Sequence, residues 1–148
     1  PWETILLFGG GFAIAGSFQS SGLTDDIAKQ LAGLSDFNYL TTIGLLATIM
    51  SFVTELTSNM SSTELVLPIL IPLAKSMNLD PSFLMLPVTL AASCAFMLPA
   101  ATAPNSIIVA TGKIDIWTMV KTGFILNLFA VITICLFTYF LIPLVLGA

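Results

Sequence analysis

The sequence contains no arginine and no histidine, and its four basic residues are all lysines. Without a basic run there is no electrostatic footprint for nucleic acid. Without histidine, a Ser–His–Asp triad, a Cys–His dyad and histidine-based zinc sites are all excluded. The two cysteines, Cys94 and Cys135, each sit in a long apolar run. They read as packing residues, and a disulfide framework is excluded. Charge of either sign is scarce, at 8% of 148 residues, where soluble domains carry roughly 25%. What is present instead is apolar, with 57% hydrophobic residues and a mean hydropathy of +1.03. Such a chain cannot cover a water-facing surface, so soluble, disordered and coiled-coil classes fall and an integral membrane protein remains. The net charge of −4 is spread over connectors and implies no strongly charged partner. The chain opens at Pro1 in mid-motif with no signal-peptide pattern, and the expectation is the C-terminal piece of something larger.

The few charges divide the chain. Stretches 4–24, 37–54, 65–74, 81–112 and 122–148 have none. A spanning helix needs ~20 predominantly apolar residues, which predicts membrane spans over 2–22 and 115–146. Gly9, Gly10, Gly11 and Gly16 in the first predict close helix packing. In 23–35, Leu23, Ile27, Leu31 and Leu34 recur at helical spacing with Asp25, Asp26 and Lys29 between them. That pattern fits an amphipathic helix along the interface as well as it fits a polar connector.

The middle of the chain is interrupted twice. An apolar run from Phe37 to Val53 meets the polar segment Thr54–Glu64, and the apolar run that follows, 65–74, is too short to span and holds Pro68 and Pro72. Two half-helices entering from one face and meeting at a tip explain this, giving a re-entrant hairpin over 37–75 with its tip at 57–62. Irregular backbone at membrane depth is tolerated only where protein or a wet cavity surrounds it. A surface loop at 54–64 is the alternative. The uncharged stretch 81–112 is too long for one straight span and carries Pro99 and Pro104. Each removes a backbone donor and disfavours helix at the preceding residue. The expectation is a broken helix: helical to about Leu98, unwound over 99–104, then helical again from Pro104 to Ala110, with Pro104 in its first turn.

Both interruptions centre on an asparagine among small polar residues, Asn59 and Asn105, and they read as two halves of one site. Unwound backbone frees carbonyl oxygens for a hard cation, and the helix that follows offers N–H groups and a positive dipole end to an anion. Asparagine, serine and threonine serve either task. All four lysines, Lys29, Lys75, Lys113 and Lys121, fall at span edges, so a bound anion would be balanced by dipoles, amide donors and a co-bound ion. Their even split gives no orientation by the positive-inside rule. Glu55 is the charge placed deepest, near Glu64, and intramembrane carboxylates are expensive. Tip organisation, proton coupling and sodium ligation are its three readings, in that order.

At these residues the sequence resembles the divalent anion:sodium symporter family. The motifs are Thr54-Glu55-Leu56-Thr57-Ser58-Asn59 followed by Leu67-Pro68-Ile69, and Ser93-Cys94-Ala95-Phe96-Met97-Leu98-Pro99 followed by Ala101-Thr102-Ala103-Pro104-Asn105. The opening Leu6-Leu7-Phe8-Gly9-Gly10-Gly11 is also similar. The resemblance implies the second of two inverted repeats in an all-α, multi-pass transporter of the plasma (inner) membrane. It implies a missing N-terminal repeat, a homodimer, and a C-terminus outside. It also implies alternating-access symport of a C4-dicarboxylate, citrate or sulfate with sodium as the co-transported ion. Carried over by motif, the implied sodium ligands are Thr54, Thr57, Asn59 and Ala101. The implied substrate contacts are Ser58, Asn59, Met60, Thr102 and Ala103. Met60 and Ala103 stand where the family usually has Thr and Pro, and Ala100 where a branched apolar residue is common, which leaves the identity of the anion open.

The competing readings differ in chemistry. A sodium-independent oxyanion permease of the arsenite type would share the broken helices. An intramembrane enzyme built on Ser58, Ser61 and Glu55 lacks a histidine or a lysine at depth to activate its nucleophile, so no enzyme is expected. A non-transporting scaffold would have no use for two facing polar breaks.

Overall fold

A computed structural model describes residues 2, 5, 6, 9, 10, 13, 16, 17, 20–30 and 38–146. Among them every regular element is an α-helix: α1 (Leu23–Gln30), α2 (Tyr39–Val53), α3 (Asn59–Ser76), α4 (Ser82–Ala92), α5 (Ala103–Ala110) and α6 (Ile116–Leu146). About half of the expected first span, 2–22, lies outside the described residues, as do 31–35 of the expected interfacial helix and residue 37 of the expected hairpin. The described part of 2–20 has helical backbone. Among the described residues a Cβ on Gly9, Gly10 or Gly16 meets nothing within 4 Å; Gly11 is outside the described residues.

Short helices surround α4. It packs against α2, α3 and α6; α2 also packs on α6, and α1 lies on α3. The core follows from helical spacing: Ile43, Ala47 and Met50 on α2, Leu70, Leu73 and Ala74 on α3, Leu84, Val88, Ala91 and Ala92 on α4, and Val131 and Ile134 on α6. Asn38 starts α2, its side chain accepting the Thr41 N–H at 2.9 Å. Tyr39 closes the same end by donating to the Phe83 carbonyl and packing edge-on against its ring.

Length decides which helices can cross a bilayer. The α6 stretch Ile116–Ile142 has 27 residues, about 40 Å at ~1.5 Å per residue, which exceeds a hydrocarbon core of ~30 Å. Its outer face exposes Phe129, Ile132, Phe137, Phe140 and Leu144, the pattern of a helix solvated by lipid. At its start Lys121 lies over the Trp117 ring at 5.2 Å, a pairing suited to the headgroup region. Helices α2 and α4 have 15 and 11 residues, roughly 22 and 16 Å long, and neither crosses alone.

Two boundaries differ from those expected. The turn after α2 occupies 54–58, and α3 is already helical at Asn59, so residues 59–62 form a first helical turn and not the far half of a tip. The helix expected to reach Leu98 ends at Ala92, and the non-helical segment runs from 93 to 102. Prolines mark only its C-terminal end; side chains from distant elements set the other end.

Candidate ion and substrate site

Helix ends of both polarities meet here. Helices α2 and α4 end at Val53 and Ala92, while α3 and α5 begin at Asn59 and Ala103. Two negative dipole ends, with carbonyls left over, therefore stand beside two positive ends with N–H groups left over. Thr102 opens α5 as its N-cap, accepting the Asn105 N–H at 3.4 Å, with Pro104 in the first turn. Past its end, Gly112 takes a left-handed φ of 69°, which a residue without Cβ adopts at little cost.

Side chains tie the two non-helical segments together. Ser51 donates to the Cys94 carbonyl at 3.0 Å. The fully buried Thr54 hydroxyl lies 2.9 Å from the Ala92 carbonyl and 2.5 Å from Asn59 Oδ1. One hydroxyl proton cannot serve two acceptors. The hydroxyl donates to one of them at a time, so Thr54 ties the end of α4 and the Asn59 amide to a single point. Thr57 donates to the Val53 carbonyl at 3.0 Å and makes a short contact with the Ser62 hydroxyl.

Glu55 is the centre of the connection. It is 3% exposed, and its Oε1 and Oε2 accept the N–H groups of Met97 and Leu98, each at 2.9 Å. Oε1 also accepts Asn127 Nδ2 at 2.8 Å. Three donors thus converge on one carboxylate group. Asn105 completes the loop, its Nδ2 donating to the carbonyls of Ala95 and Leu98, each at 3.0 Å, and Ser106 donates to the Pro99 carbonyl. The peptide groups that continued helix would have paired internally are taken instead by Ser51, Thr54, Glu55, Asn105 and Ser106. The helix therefore stops at Ala92.

Helix α6 adds a contact that no motif announced. A Cβ on Gly123 would stand 2.3 Å from the Phe96 oxygen and 2.6 Å from Met97 Cα, so the loop backbone lies directly on this glycine. Asn127 follows one turn later on the same face and is completely buried. A signal for it was present, since it is the one asparagine in the uncharged run 122–148. A cavity of about 320 Å³ opens beside this contact, lined by Phe96, Asn105, Ile108, Met119, Thr122 and Gly123 among others.

Of the residues implied as sodium ligands, Thr54 and Asn59 are joined directly, Thr57 is exposed at the turn, and Ala101 is half-buried in the loop. Of those implied as substrate contacts, Ser58, Met60 and Ala103 are exposed, and Asn59 and Thr102 are half-buried. Among the described residues no direct hydrogen bond joins the implied residues of the turn (Thr54, Thr57, Ser58, Asn59, Met60) to those of the loop (Ala101, Thr102, Ala103); the link between them runs through Thr54 and Glu55 to 92–98. All four lysines are exposed. Among the described residues Glu64 Oε1 and Asn127 Oδ1 are buried and have no hydrogen-bond partner.

Residues 1–146 match the family model described as the sodium:sulfate symporter transmembrane region. A sodium-dependent dicarboxylate transporter of Staphylococcus saprophyticus is 42% identical over 147 residues, covering 99% of this chain and 28% of that protein. The Na(+)/citrate cotransporter of Rattus norvegicus is 42% identical over 136 residues, 92% of this chain and 24% of that protein. Solute carrier family 13 member 2 of Mus musculus is 43% identical over the same length, covering 92% and 23%. The chain thus spans about a quarter of the length of the curated relatives it matches.

Proposed function

The chain belongs to the sodium:sulfate symporter family, and from that premise we propose that the full-length protein carries a di- or tricarboxylate, or sulfate, across the membrane by sodium-coupled alternating access. The observation that carries the proposal is the polar unit formed by the 54–58 turn and the 93–102 loop, where two helix carboxyl ends adjoin two helix amino ends. Such a unit offers oxygen ligands to sodium and N–H donors to an anion side by side. Sodium sits at the helix carboxyl ends, held by oxygens of Thr54, Thr57, Asn59 and Ala101. The anion takes the amino ends, touching Ser58, Asn59, Met60, Thr102 and Ala103.

Each charge lowers the cost of binding the other, which is the physical basis of coupling: sodium offsets the anion where no lysine is at hand. The relatives' printed names, a dicarboxylate transporter and a citrate cotransporter, support a carboxylate substrate. Met60, 40% exposed at the first turn of α3, gives the pocket an apolar wall and favours an anion with a carbon backbone over sulfate. In this reading α2 and α3 form a re-entrant hairpin in a multi-pass plasma-membrane protein, an inverted N-terminal repeat supplies the other half of the site, and the transporter is a homodimer.

The test is uptake of labelled succinate by the full-length protein in proteoliposomes, with and without an inward sodium gradient, and with sulfate, citrate and malate as competitors. Sodium-driven uptake that Asn59→Ala abolishes is the expected result. Uptake indifferent to sodium, or none with any of these anions, refutes the proposal.

A further inference from the structure

We infer that Asn127, on the last helix, is a positioning residue for the 93–102 loop, acting through Glu55, and that it thereby tunes sodium binding; the sodium part rests on the symport reading above. Asn127 is completely buried, and its Nδ2 donates to Glu55 Oε1 at 2.8 Å. Its other amide atom, Oδ1, is buried without a donor. A buried acceptor left unpaired costs free energy that a leucine of similar volume would avoid. The amide cannot relieve this by turning over, because Oδ1 would then face a carboxylate oxygen. Stability of the helix packing therefore argues for an apolar residue here. Among the described residues the side-chain hydrogen bond that this asparagine makes is to Glu55.

That contact is directed at the loop. Glu55 passes it to the Met97 and Leu98 N–H groups, each at 2.9 Å. One turn earlier on α6, the missing Cβ of Gly123 lets the Phe96–Met97 backbone rest on the helix. A single face of α6 thus fixes residues 96–98 by shape at Gly123 and by hydrogen bonding at Asn127. Ala101, the loop's proposed sodium ligand, follows three residues after Leu98 and donates its own N–H to the Leu98 carbonyl at 3.2 Å. A shift at 97–98 is therefore delivered to the ion site. Among the described residues no side-chain hydrogen bond joins Asn127 to Thr54, Thr57, Asn59 or Ala101, so its influence is positional.

The test uses the full-length transporter reconstituted in lipid, wild type against Asn127→Leu and Asn127→Ala. A buried hydrogen bond of this kind is worth about a factor of ten in an equilibrium constant. Hydrogen exchange at the Met97 and Leu98 amides should accelerate by about that factor in both variants. The sodium concentration for half-maximal uptake should rise several-fold, while the maximal rate at saturating sodium holds and the melting temperature of Asn127→Leu does not fall. A merely structural role would lower the melting temperature and leave sodium dependence unmoved. Unchanged exchange in both variants, or faster exchange with wild-type sodium dependence, overturns the inference. Wild-type uptake that ignores sodium refutes the symport reading instead, and the exchange result still decides whether Asn127 positions the loop.

Discussion

Replacing Gly123 with alanine adds one methyl group where the structure has no room for it. The new Cβ would lie 2.3 Å from the Phe96 oxygen, 2.5 Å from the Phe96 carbonyl carbon and 2.6 Å from Met97 Cα. Ordinary contacts between carbon atoms are about 3.5–4.0 Å, so helix and loop must part by about 1 Å. All three obstructing atoms are backbone, and that backbone is held by Glu55 and Asn105, so no flexible side chain can give way. Overpacking of this kind costs about 1–3 kcal/mol, against which alanine returns up to about 1 kcal/mol of helix propensity. The net expectation is destabilisation of about 1–2 kcal/mol.

Function should suffer more than stability, because a displacement of about 1 Å at a binding constellation costs on the order of 100-fold in rate. The assay is sodium-driven uptake by full-length protein alongside thermal melting in detergent. Gly44→Ala is the internal control: its Cβ would meet only Cys135 Sγ, at 3.7 Å. That variant should be neutral, or more stable by up to about 1 kcal/mol. Gly123→Ala behaving like Gly44→Ala in both measurements would refute the close-approach argument.

Two further outcomes are expected. Glu64→Leu removes a buried carboxylate oxygen that has no partner and should be neutral or stabilising by about 1 kcal/mol, read as an unchanged or raised melting temperature; a fall of several degrees would show that Glu64 has a partner. Asp115 starts α6, accepting the Thr118 hydroxyl at 2.6 Å and the Thr118 N–H at 3.0 Å, first the side-chain and then the backbone bond holding its acid group below the ordinary aspartate range. A lowered folded-state value means the contribution is complete above the unfolded value and is lost as pH falls through the lower one. The melting temperature of Asp115→Ala should therefore trail wild type at neutral pH and converge with it as pH falls below the ordinary aspartate range; a gap that persists or widens in acid would contradict the sign.

The sequence by itself determined membrane residence, because 57% hydrophobic residues and 8% charged ones admit no water-facing surface. It also located both interruptions, since prolines and clusters of small polar residues are local signals that act through covalent geometry. Pro104 marked the first turn of α5 for that reason. What it could not locate was where α4 ends. Helix propensity over 93–98 is not prohibitive, and the groups that capture those peptide units lie far along the chain: Ser51 is 43 residues from Cys94, and Glu55 is 42 from Met97.

The role of Glu55 was equally out of reach. Burial cost alone allowed three readings, and only the fold brings the Met97 and Leu98 N–H groups and an amide 72 residues distant onto one carboxylate. Gly123 looks unremarkable in an apolar run, because a glycine's missing atom matters only when a second backbone lies against it. The residue types were legible from local chemistry. Their partners were decided by tertiary packing, because a hydrogen bond depends on distance in space and carries no trace of separation along the chain.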